Sequence, residues 1–158
     1  MADLEAAIKT HLKAFPVITD SIGSGTAARI YSNLAKQGVQ LPYIVFEVVS
    51  GRSYEHLNGV SGMAMNRVQI DCFGATKSAA FNLAELVRGN MQMWRGDVGG
   101  IFANTITSED SYERRFDKAT TGGNQRRYWI SRDFLITYTI ENPYIQGVYG
   151  DAFADQYG

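Results

Sequence analysis

Metal binding, nucleophilic attack and phosphate cradling each demand particular side chains at particular spacings. His11, His56 and Cys72 are the chain's whole stock of imidazole and thiol groups. None sits in an H-x-x-x-H or C-x-x-C pattern that would gather ligands around an ion. His11 borders the apolar stripe of a first helix, so it reads as a packed or solvated histidine. Cys72 alternates inward with Val68 and Ile70 as a small hydrophobe, and His56 falls in a loop. Nothing therefore joins a thiol to a base. Gly59-Val60-Ser61-Gly62 lacks the G-x-S-x-G spacing of a nucleophile elbow. Glu109 and Asp110 are neighbours on a strand and point to opposite faces. Gly23-Ser24-Gly25 lacks the third glycine of a dinucleotide loop, and Gly96, Gly99 and Gly100 lack the Lys-Ser/Thr end of a P-loop. No catalytic, cofactor-binding or metal-ligating residue is assigned. An enzyme working through Cys72 or His56 would need a site that no motif announces.

Two other groups invite contact rather than catalysis. Arg114-Arg115 and Arg126-Arg127 flank one turn-rich segment, with Lys118 and Arg132 nearby. Both pairs are placed near the tip of one hairpin, where they can meet an acidic partner or a DNA backbone. Glu109, Asp110, Glu113 and Asp117 dilute that charge, and a solvated loop fits the same residues. Tyr144, Tyr149 and Phe153, with Tyr157, stand in a weakly patterned tail. Aromatics are favoured at interface cores, so these are expected to anchor on a neighbouring subunit rather than fold back. The candidate assembly residues are thus Arg114, Arg115, Arg126, Arg127, Tyr144, Tyr149 and Phe153.

The elements that must position them follow from periodicity. Leu4, Ile8, Leu12 and Phe15 recur at helical spacing. Asp3 is a plausible N-cap and Pro16 stops the pattern, predicting a helix over 3–15 and a loop over 19–26. Arg29-Ile30-Tyr31 forms a short edge strand. Pro42 opens a strand through Val49, and the glycine-bearing stretch 51–62 reads as a polar loop. Val68, Ile70 and Cys72 alternate with Arg67, Gln69 and Asp71 in a half-buried strand. Ala80, Leu83, Ala84, Val87, Met91 and Trp94 make one stripe of a main helix over 76–94, capped by Thr76 and stopped by Gly96. Residues 101–112 form another strand, and 118–125 a turn-rich tip. In the last strand Tyr128, Ile130, Phe134, Ile136, Tyr138 and Ile140 share one face, with Ser131, Asp133, Thr137, Thr139 and Glu141 on the other. The order predicts an α+β fold: a mainly antiparallel sheet of four to five strands with two helices on one face. One domain is expected over 3–141, with a C-terminal extension over 142–158.

Composition sets the outer bounds. A chain of 158 residues with 45% hydrophobic residues can build one core. A net charge of −1 argues against a broadly basic nucleic-acid-binding surface. One cysteine excludes an intramolecular disulfide and suits a reducing compartment. No run approaches the ~20 apolar residues of a membrane span, and no secretion signal is read at the N-terminus.

The order and spacing of these segments carry a resemblance. Arg29-Ile30-Tyr31 is followed by Leu41-Pro42-Tyr43-Ile44-Val45-Phe46, a glycine-bearing loop, Arg67-Val68-Gln69-Ile70-Asp71-Cys72-Phe73, a helix with Ala79-Ala80 and Leu83-Ala84, and a closing strand with Arg132-Asp133-Phe134. Over roughly residues 3–141 this resembles the small tail-completion, or tail-terminator, proteins of long-tailed phages and prophages. The resemblance implies a structural virion protein made in the host cytoplasm and placed at the head-proximal end of the tail. It implies a homohexameric ring that caps the tail tube, receives the head–tail connector or stopper protein, and lets DNA pass without gripping it. It brings no catalytic residue, no cofactor and no membrane partner. Two other readings stay open: another ring of the head–tail interface, and a small cytosolic binding module unrelated to phage.

Overall fold

The computed structural model describes residues 3–56, 59–92, 94–98, 101–116 and 127–140. Helix α1 (Leu4–Lys13) starts where the sequence says, because the Asp3 carboxylate accepts from the Glu5 N–H at 3.0 Å. Leu4, Ala7, Ile8, His11 and Leu12 form its buried side. Pro16 does not end helical structure. It opens a second helix, α2 (Pro16–Ile22), which runs into the first half of the segment expected to be a loop over 19–26. Proline suits the first helical position, where its missing N–H would have no partner and its φ is already set. Ile18 and Ile22 are fully buried by this turn. Gly23 closes it at φ 89, and a Cβ there would meet the Ala27 carbonyl at 2.9 Å, so the position needs glycine.

Strand β1 (Ile30–Ser32) runs parallel to β2 (Tyr43–His56), with Ile30 opposite Ile44. Arg29 clamps the entry to this pair. Its guanidinium donates to the Pro42 carbonyl at 2.8 Å and to the Ser21 carbonyl at 3.0 Å. β2 then pairs antiparallel with β3 (Gly59–Gly74). The stretch expected to be a loop over 51–62 is largely strand, with Glu55 opposite Val60 and His56 opposite Gly59. Backbone N–H and C=O groups carry a ladder without side-chain alternation, so the pairing runs past the apolar pattern that revealed its inner half.

Gly74 ends β3 under helix α3 (Lys77–Gln92). A Cβ on it would stand 2.6 Å from the Ala80 nitrogen, so the helix lies directly on the strand end. Thr76 caps α3 by accepting from the Ala79 N–H at 3.1 Å. The helix stops before Trp94, which is buried beyond it with its backbone N–H on the Met91 carbonyl. A short strand β4 (Gly96–Val98), not anticipated from Gly96 as a stop, pairs with β5 (Ile101–Phe116). β5 pairs with β6 (Arg127–Ile140).

The sheet is six-stranded in the order β1-β2-β3-β6-β5-β4, antiparallel except at β1–β2. The α+β class and mostly antiparallel sheet are as expected. Among the described residues the short pieces α2 and β4 bring the α-helices to three and the strands to six. α3 packs on β3, β6 and β5. Between helices and sheet lies the core, where Ile44, Phe46, Val68, Ile70, Cys72, Ile130, Phe134 and Ile136 meet Ile8, Leu12, Leu83, Val87 and Met91. No described helix is long and apolar enough to cross a membrane.

Candidate assembly surface

Residues one step out of phase with the core form the sheet's other face. Register aligns Tyr43 with Phe73 and Phe73 with Trp129, then Val45 with Asp71 and Ser131, then Glu47 with Gln69 and Asp133. The first row is aromatic. Tyr43 and Phe73 stack at 4.5 Å between ring centroids, Trp129 follows Phe73 at 5.4 Å, and Tyr31 of β1 meets Tyr43 edge-on at 6.4 Å. Arg127 joins the row by donating from Nη1 to the Tyr43 hydroxyl at 2.7 Å. Below it lies a polar network. Arg67 donates to Asp133 from Nε at 3.1 Å and from Nη2 at 2.5 Å. Gln69 donates to Asp71 at 3.0 Å, and the Ser131 hydroxyl donates to the same carboxylate. Ser131 and Asp133 are buried, and a buried polar group is tolerated because it is paired in this way.

Three of the candidate arginines lie on the paired strands β5 and β6. Arg114 is opposite Trp129, Arg115 opposite Tyr128, and Arg127 opposite Phe116. Arg126, Tyr144, Tyr149 and Phe153 lie outside the described residues, as does the expected tip over 118–125. The nearby Arg132 is on the helix side of β6, where it and Arg88 share the Glu85 carboxylate of α3. The hydrogen bond from Arg88 holds Glu85 below the usual carboxylate range, with Arg132 adding to the effect against some desolvation.

The groups that could have done chemistry are placed as structural parts. Cys72 is fully buried, and burial, reinforced by the Asp71 charge, pushes its thiol far up. It is a neutral hydrophobe, not a thiolate nucleophile. His11 stacks on Trp94 at 4.2 Å with 12° between the rings, touches Phe15 edge-on, and sits with Nε2 3.2 Å from the Asn90 carbonyl. Gly59-Val60-Ser61-Gly62 lies within β3 and precedes no helix directly. Asp110 falls at the register shift between Glu109 and Ser111. Among the described residues no group of three or more His, Cys, Asp or Glu could hold a metal ion. The described arrangement offers side chains for non-covalent docking.

Sequence reasoning missed the row of Tyr31, Tyr43, Phe73 and Trp129 and the Arg67–Asp133 link. Each residue is individually out of phase with the core on its own strand, which is a usable signal. Their alignment across four strands needs the register.

Comparison with known proteins then decides the family. Residues 6–138 match the family described as tail completion protein gp17. The chain belongs to that family. It is thus a structural protein of the phage type, and its place is the virion tail. No curated protein matches the chain. Among solved structures, a chain from the virion of a native gene transfer agent particle shares the fold, with a TM-score of 0.67 at 16% identity. That likeness covers 86% of this tail-completion protein and 94% of the other chain.

Proposed function

We propose that the protein is a tail terminator: a ring, of six copies in the family resemblance, that caps the tail tube and receives the head–tail connector or stopper. The observation that carries this reading is the tail-completion match over 6–138, nearly the whole described fold. Two features support it. A sheet face of paired charges and stacked aromatics is preorganised without a ligand, as suits a surface that meets another protein. A long β5–β6 hairpin brings the segments bearing Arg114, Arg115 and Arg127 together at one end. In this reading Arg114, Arg115, Arg126 and Arg127 bind a neighbour or the tube. Tyr144, Tyr149 and Phe153, in an extension beyond the domain over 3–141, seat on the adjacent subunit. The near-neutral chain lines a lumen that passes DNA without holding it.

The test is the mass of the purified protein across a concentration series, with imaging of the protein added to tail tubes. A closed ring, free or only on tube ends, supports the reading. A monomer that ignores tubes at every concentration sinks it. A ring that binds connector but never tube ends would move the protein to a neighbouring ring of the head–tail interface. Changing Arg114, Arg115, Arg126 and Arg127 to Ser should abolish tube capping, with circular dichroism checking that loss of the Arg127–Tyr43 hydrogen bond leaves the fold in place. Unimpaired capping would remove the arginines from the interface.

A further inference from the structure

The two outermost long strands of the sheet keep most of their outer edges open. Among the described residues β5 is paired along its length with β6, but on its other side β4 reaches only Ile101, Phe102 and Ala103. β2 is covered in the same way. β3 lines one side of it, and β1 lines the other only at Ile44, Val45 and Phe46. The Asn33 N–H makes the last bond there, to the Phe46 carbonyl at 2.9 Å. Past these short strands, 105–116 of β5 and 47–56 of β2 carry backbone donors and acceptors with no described strand beside them. A long open edge is a template for another strand. Proteins commonly block such an edge with proline or lysine, and neither stretch contains either residue.

The two edges complement each other in direction, in length and in charge. β2, β3, β6 and β5 alternate in direction. A second copy set beside the first in the same orientation therefore brings its β2 antiparallel to the first copy's β5. The short strands act as stops. β4 ends at Ala103, so the second copy's His56 comes opposite Thr105, the next β5 residue in register. Counting back along both backbones puts Glu47 opposite Arg114. Glu47 is the residue at which β1 leaves β2 free, so this register uses the whole open part of β2. β5 leaves the ladder after Arg114, where the second copy's β1 holds the edge. In this register Glu47 faces Arg114, Val49 faces Tyr112 and Arg52 faces Glu109. Opposite charges and an aliphatic–aromatic pair directly across a ladder are favourable, and Glu47, Val49 and Arg52 are exposed in the single chain.

We infer that 47–56 of one copy pairs antiparallel with 105–114 of the next, joining the sheets of neighbouring copies into one. The two edges are different, so the contact is heterologous, which closes into a ring when the rotation allows. Within one copy Thr105 lines up with Thr137, Met65 and Arg52. The next copy's His56 thus arrives at the level of Arg52, and each added copy is shifted along the strands. A sheet that closes on itself requires such a stagger, and the bulges in β2 and β5 bend both edge strands. This inference rests on the ring reading above and gives it a specific interface.

Ser53 and Ser108 stand opposite each other in this register, and cross-linking tests it. Ser53→Cys and Ser108→Cys are made as separate chains, mixed free or on tail tubes, and treated with a short bismaleimide. The mixture should give a covalent dimer that neither variant gives alone. The native Cys72 is fully buried and stays out of the reaction. In a second measurement, Arg52→Glu and Glu109→Arg should each weaken self-association roughly 3- to 10-fold, and the chain carrying both should regain the parental strength. A double exchange that restores nothing overturns the register. A mixture that assembles without cross-linking overturns the edge pairing and leaves the ring reading standing. A dimer from Ser108→Cys alone shows two β5 edges meeting about a two-fold axis, with the same consequence. A dimer that forms only after deletion of 142–158 assigns the edge to the chain's own tail and likewise overturns the pairing. A parent chain that never assembles, in solution or on tube ends, removes the ring and this contact together.

Discussion

The two faces of one sheet solve opposite problems with the same strands. Toward the helices, β2, β3 and β6 present Ile44, Phe46, Val68, Ile70, Cys72, Ile130 and Phe134, which are buried and apolar. On the other side the same strands carry Tyr43, Phe73 and Trp129 in a stacked row and Arg67, Gln69, Asp71, Ser131 and Asp133 in a bonded network, with Tyr43, Ser131 and Asp133 buried and the others half-buried. The helix side gains from removing apolar area from water, which is non-directional and tolerant of exact geometry. The open side gains little net free energy per bond, because each hydrogen bond replaces one to water. What those bonds add is fixed position. A face of this kind is costly to build only for folding, and useful when something else must dock on it.

The contrast is tested most sharply by truncating each side in turn. Phe134 is fully buried, and Phe134→Ala should cost about 3–5 kcal/mol through lost burial and the cavity left behind. Urea unfolding followed by circular dichroism measures it. Arg67→Ala should cost less, about 1–2 kcal/mol. It strips Asp133 of its partner, but the Arg67 side chain is 39% exposed and water can replace it. Equal costs for the two substitutions would mean that the open face is a second core, and the division drawn here would fail.

How much of this was legible in the sequence divides along the same line. The alternation in β6 placed Phe134 and Ile136 opposite Ser131 and Asp133 without any structure, because a period of two is a local signal. The helix stripe of Ala80, Leu83, Ala84, Val87 and Met91 was equally plain. What escaped was whatever depends on backbone bonding or on register. Pro16 looks like a stop, yet its fixed φ serves a new helix. Residues 51–56 and 59–62 carry no apolar rhythm, yet their backbones pair. The neighbouring strands β5 and β6 were legible because they are near in sequence. The aromatic row was not, since Tyr31, Tyr43, Phe73 and Trp129 come from four strands that only the fold aligns.

A smaller effect separates what the chain needs from what its surface offers. Gly89 is exposed within α3, and a Cβ on it would touch none of the described residues. If nothing inside the subunit needs the glycine, Gly89→Ala should raise the stability of the isolated chain by about 0.5–1 kcal/mol, the usual gain in a helix interior. Thermal unfolding at a concentration where the protein is monomeric reads this directly. Loss of stability would show that the glycine is required inside the subunit after all.

The gentlest test is a slope with pH, and it concerns the junction of α1 with the end of α3. Burial lowers the pKa of His11 from its ordinary value, and the hydrogen bond to the Asn90 carbonyl opposes that only in part. The folded protein therefore takes up its proton at lower pH than the unfolded chain does. In the window just below pH ~6.5, the unfolded state binds more protons, so stability rises with pH there. The contribution is fully present above the unfolded value and is lost as pH falls through the folded one. The imidazole resonances of His11 should titrate below the ordinary histidine range. The urea midpoint should fall on acidification from pH 7 through this window, and less so in His11→Gln. Carboxylates such as Glu85, held low by Arg88, contribute their own loss only at more acid pH, so the two can be told apart. A His11 that titrates at or above its ordinary value would mean that the stack on Trp94 is open to water, and that α1 is joined to α3 less tightly than the core beneath them.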